Sequence, residues 1–328
     1  MTILRSFPAY MAALAAAAVV CCAPTAALAQ GYPNKPIRIL VGFAPGGPND
    51  ILARILGEHF QKAWGQPVLV EHKAGLGGSL AADQVAKSPP DGHTLLSTGV
   101  GAVAINQNLI PNLGYDPKRD LTPVSMTAWM PVVLSVAASV PANTLAEFVA
   151  YARREGGKLN HASPGIGSSS HLAAEAFRLK LGFPSQHIAY RGVPPMNEAM
   201  VKGETQWTFD SPQGAMILHR QGRVRVLAVA ASERWPLFPE IPTMKEEGVA
   251  DFEVFTWFGL VAPAATPRPI VEALAREIGQ ALRASAAVER VRNLGMQPIP
   301  GTPEEMARII ETDTRRWAEV IRAAGVKP

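Results

Sequence analysis

Short apolar runs alternate along this chain with amphipathic stretches of helical period. Ile37–Phe43 precedes Asn49–Trp64, Val68–Glu71 precedes Ser79–Lys87, Val132–Ala138 precedes Thr144–Glu155, and Leu159–Ser163 precedes Ser168–Leu181. Strand-length and helix-length segments in alternation predict an α/β protein. Further strands are expected at Thr94–Thr98, His187–Tyr190, Gln206–Phe209 and Val224–Ala230, and further helices at Pro267–Ser285 and Thr302–Ala323. Thr144 with Glu147 and Thr302 with Glu305 have capping-box spacing, the second with Pro303 at the first helical position. Ile37-Arg38-Ile39-Leu40-Val41 and Arg225-Val226-Leu227-Ala228-Val229 are too apolar for strands wetted on one face. They predict two parallel sheets, each covered by helices on both sides. Breaks fall near Trp129-Met130-Pro131 and Asp251-Phe252-Glu253. A chain leaving one lobe at the first break and returning at the second gives a discontinuous lobe 1 (residues 30–131 plus 253–328) and a lobe 2 (residues 132–252).

The N-terminus has a different pattern. Arg5, the apolar run Met11–Val20 and Ala27-Leu28-Ala29 follow the order of a secretory signal, with cleavage expected before Gln30. Pro8 and Pro24 interrupt the run, which is shorter than the roughly 20 residues of a spanning helix. Val20 precedes Cys21 where a lipoprotein signal needs a small residue. Both cysteines would leave with the signal, so the mature chain would carry no thiol, as suits an oxidising compartment, and disulfides and cysteine metal sites drop out.

Composition adds exclusions. The 328 residues are 48% hydrophobic and 18% charged, ample for sizeable cores, and 31 basic against 27 acidic side chains give +4, no case for a nucleic-acid partner.

Two strand-to-helix turns could hold a small anion, because the free N–H groups and dipole of a helix start favour negative charge. The first is Phe43-Ala44-Pro45-Gly46-Gly47-Pro48-Asn49-Asp50, where Asn49 or Asp50 could cap the helix. The second is Ala162-Ser163-Pro164-Gly165-Ile166-Gly167-Ser168-Ser169-Ser170-His171. Ser170 stands where a dinucleotide fingerprint needs its third glycine, and there is no P-loop, so no nucleotide cofactor is expected. The turns hold equivalent places in successive lobes, so a cleft between the lobes would be lined by both. Gly77-Gly78-Ser79-Leu80-Ala81 ends in alanine where a nucleophile elbow prefers glycine. The seven histidines show no metal-ligand spacing and read as surface or packing residues, with His171 placed to touch a ligand.

Several segments together resemble one family: Tyr32–Arg38, Phe43–Asp50, Gly65–Val68, Ser88–Leu96, Ala104-Ile105-Asn106, Tyr115-Asp116-Pro117, Tyr190-Arg191-Gly192, Phe209-Asp210 and Thr256–Pro263. The chain resembles the Bug-type solute receptors of tripartite tricarboxylate transporters. The resemblance implies a type II periplasmic binding protein, two α/β lobes with a central cleft and two crossovers, closing on a small carboxylate without catalysis or cofactor. It implies a monomer that delivers a di- or tricarboxylate, an aromatic acid or an acidic amino acid to membrane permease subunits. Carried over residue by residue, the ligand contacts would be Phe43, Pro45, Gly46, Gly47 and Asn49 in one lobe and Ser163, Gly165, Ser168 and Ser169 in the other. Asp210 would meet an amino or hydroxyl group, and Trp257 would lie near the second crossover, as contact or as hinge packing. Pro164, Ile166, Ser170 and Trp207 depart from the commonest family pattern, which would favour a larger or aromatic acid. Two rivals are a receptor presenting its closed form to a sensor kinase and a secreted hydrolase using Ser79 or Ser169.

Overall fold

The computed structural model describes residues 31–327, so the export signal read at residues 1–29 lies outside the described residues. The chain opens with β1 (Ile37–Val41), α1 (Pro48–Trp64), β2 (Val68–His72), α2 (Ser79–Ala86) and β3 (Thr94–Gly99). After a single helical turn at Pro117–Asp120 comes the long β4 (Leu121–Pro131). The second unit holds β5 (Val133–Ala137), α3 (Leu145–Glu155), β6 (Asn160–Ser163), α4 (Ser169–Leu181), β7 (Gln186–Ala189), α5 (Val193–Lys202), β8 (Trp207–Asp210), α6 (Pro212–Arg220) and β9 (Val224–Val229). The chain returns through β10 (Phe255–Pro263), α7 (Arg268–Arg283), α8 (Ser285–Arg292), β11 (Gln297–Pro298) and α9 (Pro303–Ala324).

The strands form two sheets, ordered β11-β4-β10-β3-β1-β2 and β7-β6-β8-β5-β9. Both are mixed, which corrects the expectation of parallel sheets. β1 pairs in parallel with β2 and β3, and β6 with β7 and β8, but β10 lies antiparallel to β3 and β4, and β5 antiparallel to β8 and β9. The strands that enter each unit across the crossing segments, β5 in the second and β10 in the first, run against the βα repeats, whereas β4 and β9, which leave them, run with the repeats; helices still cover both faces, so the apolar runs do not report the reversal. The two connecting segments are tied together: Val132 N–H donates to the Val254 carbonyl at 3.1 Å, and Ala230 N–H to that of Val132 at 2.8 Å.

Helix ends follow local chemistry. Thr302 and Glu305 close a full capping box with Pro303 in the first turn. At α3 only half the box forms, because the Glu147 carboxylate accepts from Asn143 N–H instead of Thr144. The helix expected over Pro267–Ser285 breaks at Ala284, whose extended backbone separates α7 from α8. α9 returns to the first unit and buries Met306, Trp317 and Ile321.

Candidate functional site

Ligand-facing turns in such sheets lie beyond the carboxyl ends of the parallel strands. β1 runs into the first turn there. Gly42 is needed at the strand's exit, since a Cβ would fall 2.4 Å from Gly78 Cα. Phe43 is 42% exposed, and Pro45 and Gly46 are exposed, the latter at φ +86°. Gly47 is the N-cap of α1 in extended conformation, φ −81° and ψ 173°, with no side chain to cover the helix start. Space beyond its Cα is open, the nearest atom to an added Cβ being the Ala44 carbonyl oxygen at 3.8 Å. Neither Asn49 nor Asp50 is the N-cap. Asp50 reaches back to accept from Gly46 N–H at 2.9 Å, and His72 Nε2 at 2.8 Å and Arg54 hold its other contacts. Burial raises the Asp50 carboxyl, but Arg54, the Gly46 amide and His72 outweigh it and leave the group below its ordinary value. Asn49 is buried, its carbonyl taking the Ser97 hydroxyl at 3.0 Å while its Oδ1 has no partner among the described residues.

The second turn follows β6. Two serine hydroxyls build it: Ser163 and Ser168 both donate to the Gly165 carbonyl, at 3.0 and 2.7 Å, and Gly165 N–H returns to Ser163 Oγ at 3.2 Å. Ser168 also caps α4 by accepting His171 N–H. Ser169 Oγ lies 2.6 Å from Thr256 Oγ1 of β10, a contact between the two units. Gly167 packs against the first unit so closely that a Cβ there would lie 2.5 Å from Leu109 Cδ2. With these bonds made, the Ile166, Ser169 and Ser170 amides have no partner within the turn. Each turn therefore offers backbone N–H groups at a helix start, the arrangement that binds a carboxylate without a cationic side chain.

Asp210 ends β8, whose parallel pairing with β6 puts it on the same sheet edge as Ser163. It accepts Ser211 N–H at 2.7 Å, whereas Ser211 itself caps α6. Burial without a cation lifts its carboxyl to about 6, against hydrogen bonds from Ser211 and Asn197. Trp257 faces the other way, its Nε1–H donating to Asp313 Oδ2 at 2.6 Å, so it ties β10 to α9. Trp207 is fully buried among Phe148, Phe177 and Phe183, with Nε1–H on Ser185 Oγ at 3.0 Å. Its bulk fills the core of the second unit, which corrects the expectation that it shapes the pocket.

Three histidines, scattered in sequence, meet behind the serine turn. His171 is 3% exposed, its ring stacked on that of His187 with centroids 3.6 Å apart and planes at 10°. His171 Nδ1 accepts Gly167 N–H at 3.1 Å, and His187 Nε2 lies 2.7 Å from Ser163 Oγ. His161 Nδ1 meets Ser185 Oγ at 3.1 Å, and its Nε2 lies 3.1 Å from Glu175 Oε1, poorly aligned for a hydrogen bond. Arg178 pairs with the other Glu175 oxygen. Burial drives the imidazoles down, His171 to about 4 and His187 to about 3, while Arg178 and His161 hold Glu175 near 2 against its own burial. The donor atoms of His161, His171 and Glu175 lie within 4.8 Å of one another, as a metal site requires. However, His171 accepts an amide at Nδ1, so the neutral ring carries its proton on Nε2 and has no lone pair left there for an ion. No spacing in the sequence announces this cluster, because its members come from β6, β7 and α4.

Asn106 carries no chemical signal in the sequence beyond its place in Ala104-Ile105-Asn106, yet its buried amide donates to Leu76 O at 3.0 Å and Ser79 Oγ at 2.7 Å. It also lies against Gly77 and Gly167, between the two units. The hydrogen-bond partners of Ser79 are Asn106 and Tyr115, and that of Ser169 is Thr256; none is a base able to activate a nucleophile. An open groove of about 580 Å³ between α7 and α9 lies apart from both turns and is lined by charged side chains such as Arg268, Glu272 and Glu304.

Comparison with known proteins agrees with this architecture. Residues 52–326 match the model of the tripartite tricarboxylate transporter family receptor. The chain is 35% identical over 300 residues to protein BugT of Bordetella pertussis, covering 91% of this chain and 92% of BugT. Among solved structures it is similar to MatC of Rhodopseudomonas palustris with bound malate, at 34% identity and TM-score 0.78 over 88% of this chain and all of that one. A second R. palustris protein, solved with adipate, gives 33% identity and TM-score 0.82 over 90% and 99% of the two chains. BugD, a periplasmic binding protein, gives 31% and 0.78 over 90% and 99%. Two α/β units joined by paired crossing segments are thus the lobes of a periplasmic solute-binding fold, and the chain belongs to the Bug-type receptors of the tripartite tricarboxylate transporter family.

Proposed function

We propose that the mature chain is a periplasmic receptor, not an enzyme, that captures one small carboxylate between its lobes and delivers it to the membrane permease of a tripartite transporter. Lobe 1 comprises residues 30–131 and 253–328, and lobe 2 residues 132–252. The observation that carries this reading is the pair of backbone turns at the starts of α1 and α4, one in each lobe, both with amides that lack a partner among the described residues. The Gly47 turn holds one end of the acid through the N–H groups of Gly47 and Asn49, with Pro45 and Gly46 shaping the turn, because proline has no N–H and that of Gly46 is held by Asp50. The serine turn approaches from lobe 2 with the amides of Ile166, Ser169 and Ser170. The relatives solved with malate and adipate support a dicarboxylate as the first class to test. Asp210, on the lobe 2 sheet edge, accepts from a hydroxyl or ammonium group of the acid, such as the hydroxyl that malate carries between its two carboxylates. The bases missing beside Ser79 and Ser169 weigh against hydrolysis.

A thermal-shift screen of mono-, di- and tricarboxylates, aromatic acids and amino acids tests the proposal. A dose-dependent rise with one class, and uptake lost with the permease genes deleted, is the expected outcome. A flat response across the panel removes it.

A further inference from the structure

We propose that His171 is a positioning residue for the lobe 2 anion site: its unprotonated Nδ1 holds the serine turn through Gly167 N–H, and protonating that imidazole releases both turn and bound acid. The inference rests on the carboxylate-receptor reading above. Gly167 lies at φ +74° and needs an acceptor, yet the nearby Gly165 carbonyl already takes the Ser163 and Ser168 hydroxyls and Ser168 N–H. The imidazole supplies the acceptor from one turn along α4, at 3.1 Å. Its ring cannot swing away, since one face rests on His187, and His187 in turn contacts Ser163 at the other end of the turn. The two stacked rings thus brace Ser163 and Gly167 from behind, which leaves the Ile166, Ser169 and Ser170 amides pointing at an acid in front.

A proton on Nδ1 would replace this acceptor by a donor facing a donor, so the bond to Gly167 must break. Around His171, burial opposes that proton at neutral pH, whereas the carboxylate beside it favours it. From its own helix come Glu175, whose Oε1 is 3.9 Å from Nε2, and Arg178, which already offsets that carboxylate. From β7 comes the His187 ring, and from β6 His161, 6.4 Å away with Trp207 of β8 packed on it. Burial, weighed against Glu175, keeps the imidazole neutral until about pH 4, so the site stays formed at neutral pH and loosens as pH falls toward that value.

Asparagine and glutamine separate this role from plain packing. Asn Oδ1 takes the place of Nδ1 and cannot be protonated, whereas the Gln amide takes the place of Nε2. Binding is titrated calorimetrically with malate and adipate as probes between pH 7.5 and 3.5. At pH 7.5 His171→Gln should weaken binding about tenfold and His171→Asn by less than about threefold, the difference being one hydrogen bond. Toward pH 3.5 wild type should lose about fourfold more affinity than His171→Asn, in which only the acid and the other protein groups titrate. A measurement without ligand or mutation accompanies it: two-bond ¹H–¹⁵N spectra of the imidazoles should show His171 Nδ1 unprotonated, with the Gly167 amide protected from exchange. Equal affinities for both variants, a protonated Nδ1, or a Gly167 amide exchanging as freely as an exposed one would overturn the inference and leave the receptor reading intact. If neither these probes nor any acid of the screen binds while the Nδ1 and Gly167 signatures hold, the receptor reading fails and the hold of His171 on the turn stands.

Discussion

Replacing Gly47 by valine separates the ligand site from the fold. The backbone there, φ −81° and ψ 173°, suits any L-residue, and the added Cβ would meet nothing nearer than Ala44 O at 3.8 Å. Valine is a poorer N-cap than glycine by about 1 kcal/mol, and stiffening the unfolded chain returns about 0.4–1 kcal/mol, so net stability should change by less than about 1 kcal/mol. Binding should respond differently, because two γ-methyls would stand over the amides at the start of α1. Losing one charge-assisted hydrogen bond, about 1.5–3 kcal/mol, with part of the dipole contribution, about 0.3–1 kcal/mol, amounts to roughly 2–4 kcal/mol. Affinity should fall roughly 30- to 700-fold. Gly47→Ala, with one methyl, should fall between. Calorimetric titration with the best acid of the screen, beside urea denaturation of the same preparations, reads both quantities. A folded Gly47→Val protein of unchanged affinity would show that the acid does not sit on this turn.

Other substitutions and conditions give further outcomes. Asp210→Asn should raise the melting temperature at pH 8, because burial lifts the carboxyl to about 6 and its ionisation costs up to about 3 kcal/mol of stability above that pH. The gain should vanish below pH 4, and affinity for hydroxy or amino acids should drop; an unchanged melting temperature at pH 8 contradicts the burial argument. His171 is held down to about 4, so the unfolded chain takes up a proton near pH 6.5 that the folded chain refuses. Stability from this residue is complete above pH 6.5 and is lost as pH falls toward 4, by about 3 kcal/mol. Melting curves from pH 7.5 to 4.5 test it, and a flat profile, or one that His171→Asn leaves unchanged, counts against it. Gly42→Ala should destabilise by about 1–3 kcal/mol in urea, since its Cβ would meet backbone that cannot yield, Gly78 Cα at 2.4 Å. A loss below about 0.5 kcal/mol would mean that β1 and the Gly75–Ser79 segment separate more easily than their packing implies.

Much of the fold was legible because each βα unit writes its own period: β1 and α1, β6 and α4 fall within a few residues of expectation. β4 and β10 were harder. Their turn-forming Pro123, Pro131 and Gly259 mask two long strands whose partners lie more than a hundred residues away. Strand direction was illegible because burial on both faces yields the same apolar run in either orientation. At the site, glycine and serine content marked the turns but not the division of labour within them. The Ser163 and Ser168 hydroxyls face inward to the Gly165 carbonyl, so which amides remain free is decided by the folded turn and not by its composition. Gly57 reads as an ordinary helix glycine, yet a Cβ there would lie 3.2 Å from Val68 Cγ1. Tertiary contacts of this kind leave no periodic trace.

The central claim is that one acid bridges two amide-lined turns and thereby closes the lobes. Small-angle scattering on the mature chain, with and without a saturating carboxylate chosen by the thermal screen, tests both parts together. At 100 times the dissociation constant a single site adds about 2.7 kcal/mol to the folded state, enough for a clear rise in melting temperature. A more compact particle should accompany that rise at one acid per chain, and both should be clearly smaller in Gly47→Val at the same acid concentration. An acid that binds and raises the melting temperature while the scattering profile stays that of the free protein would contradict closure on the ligand.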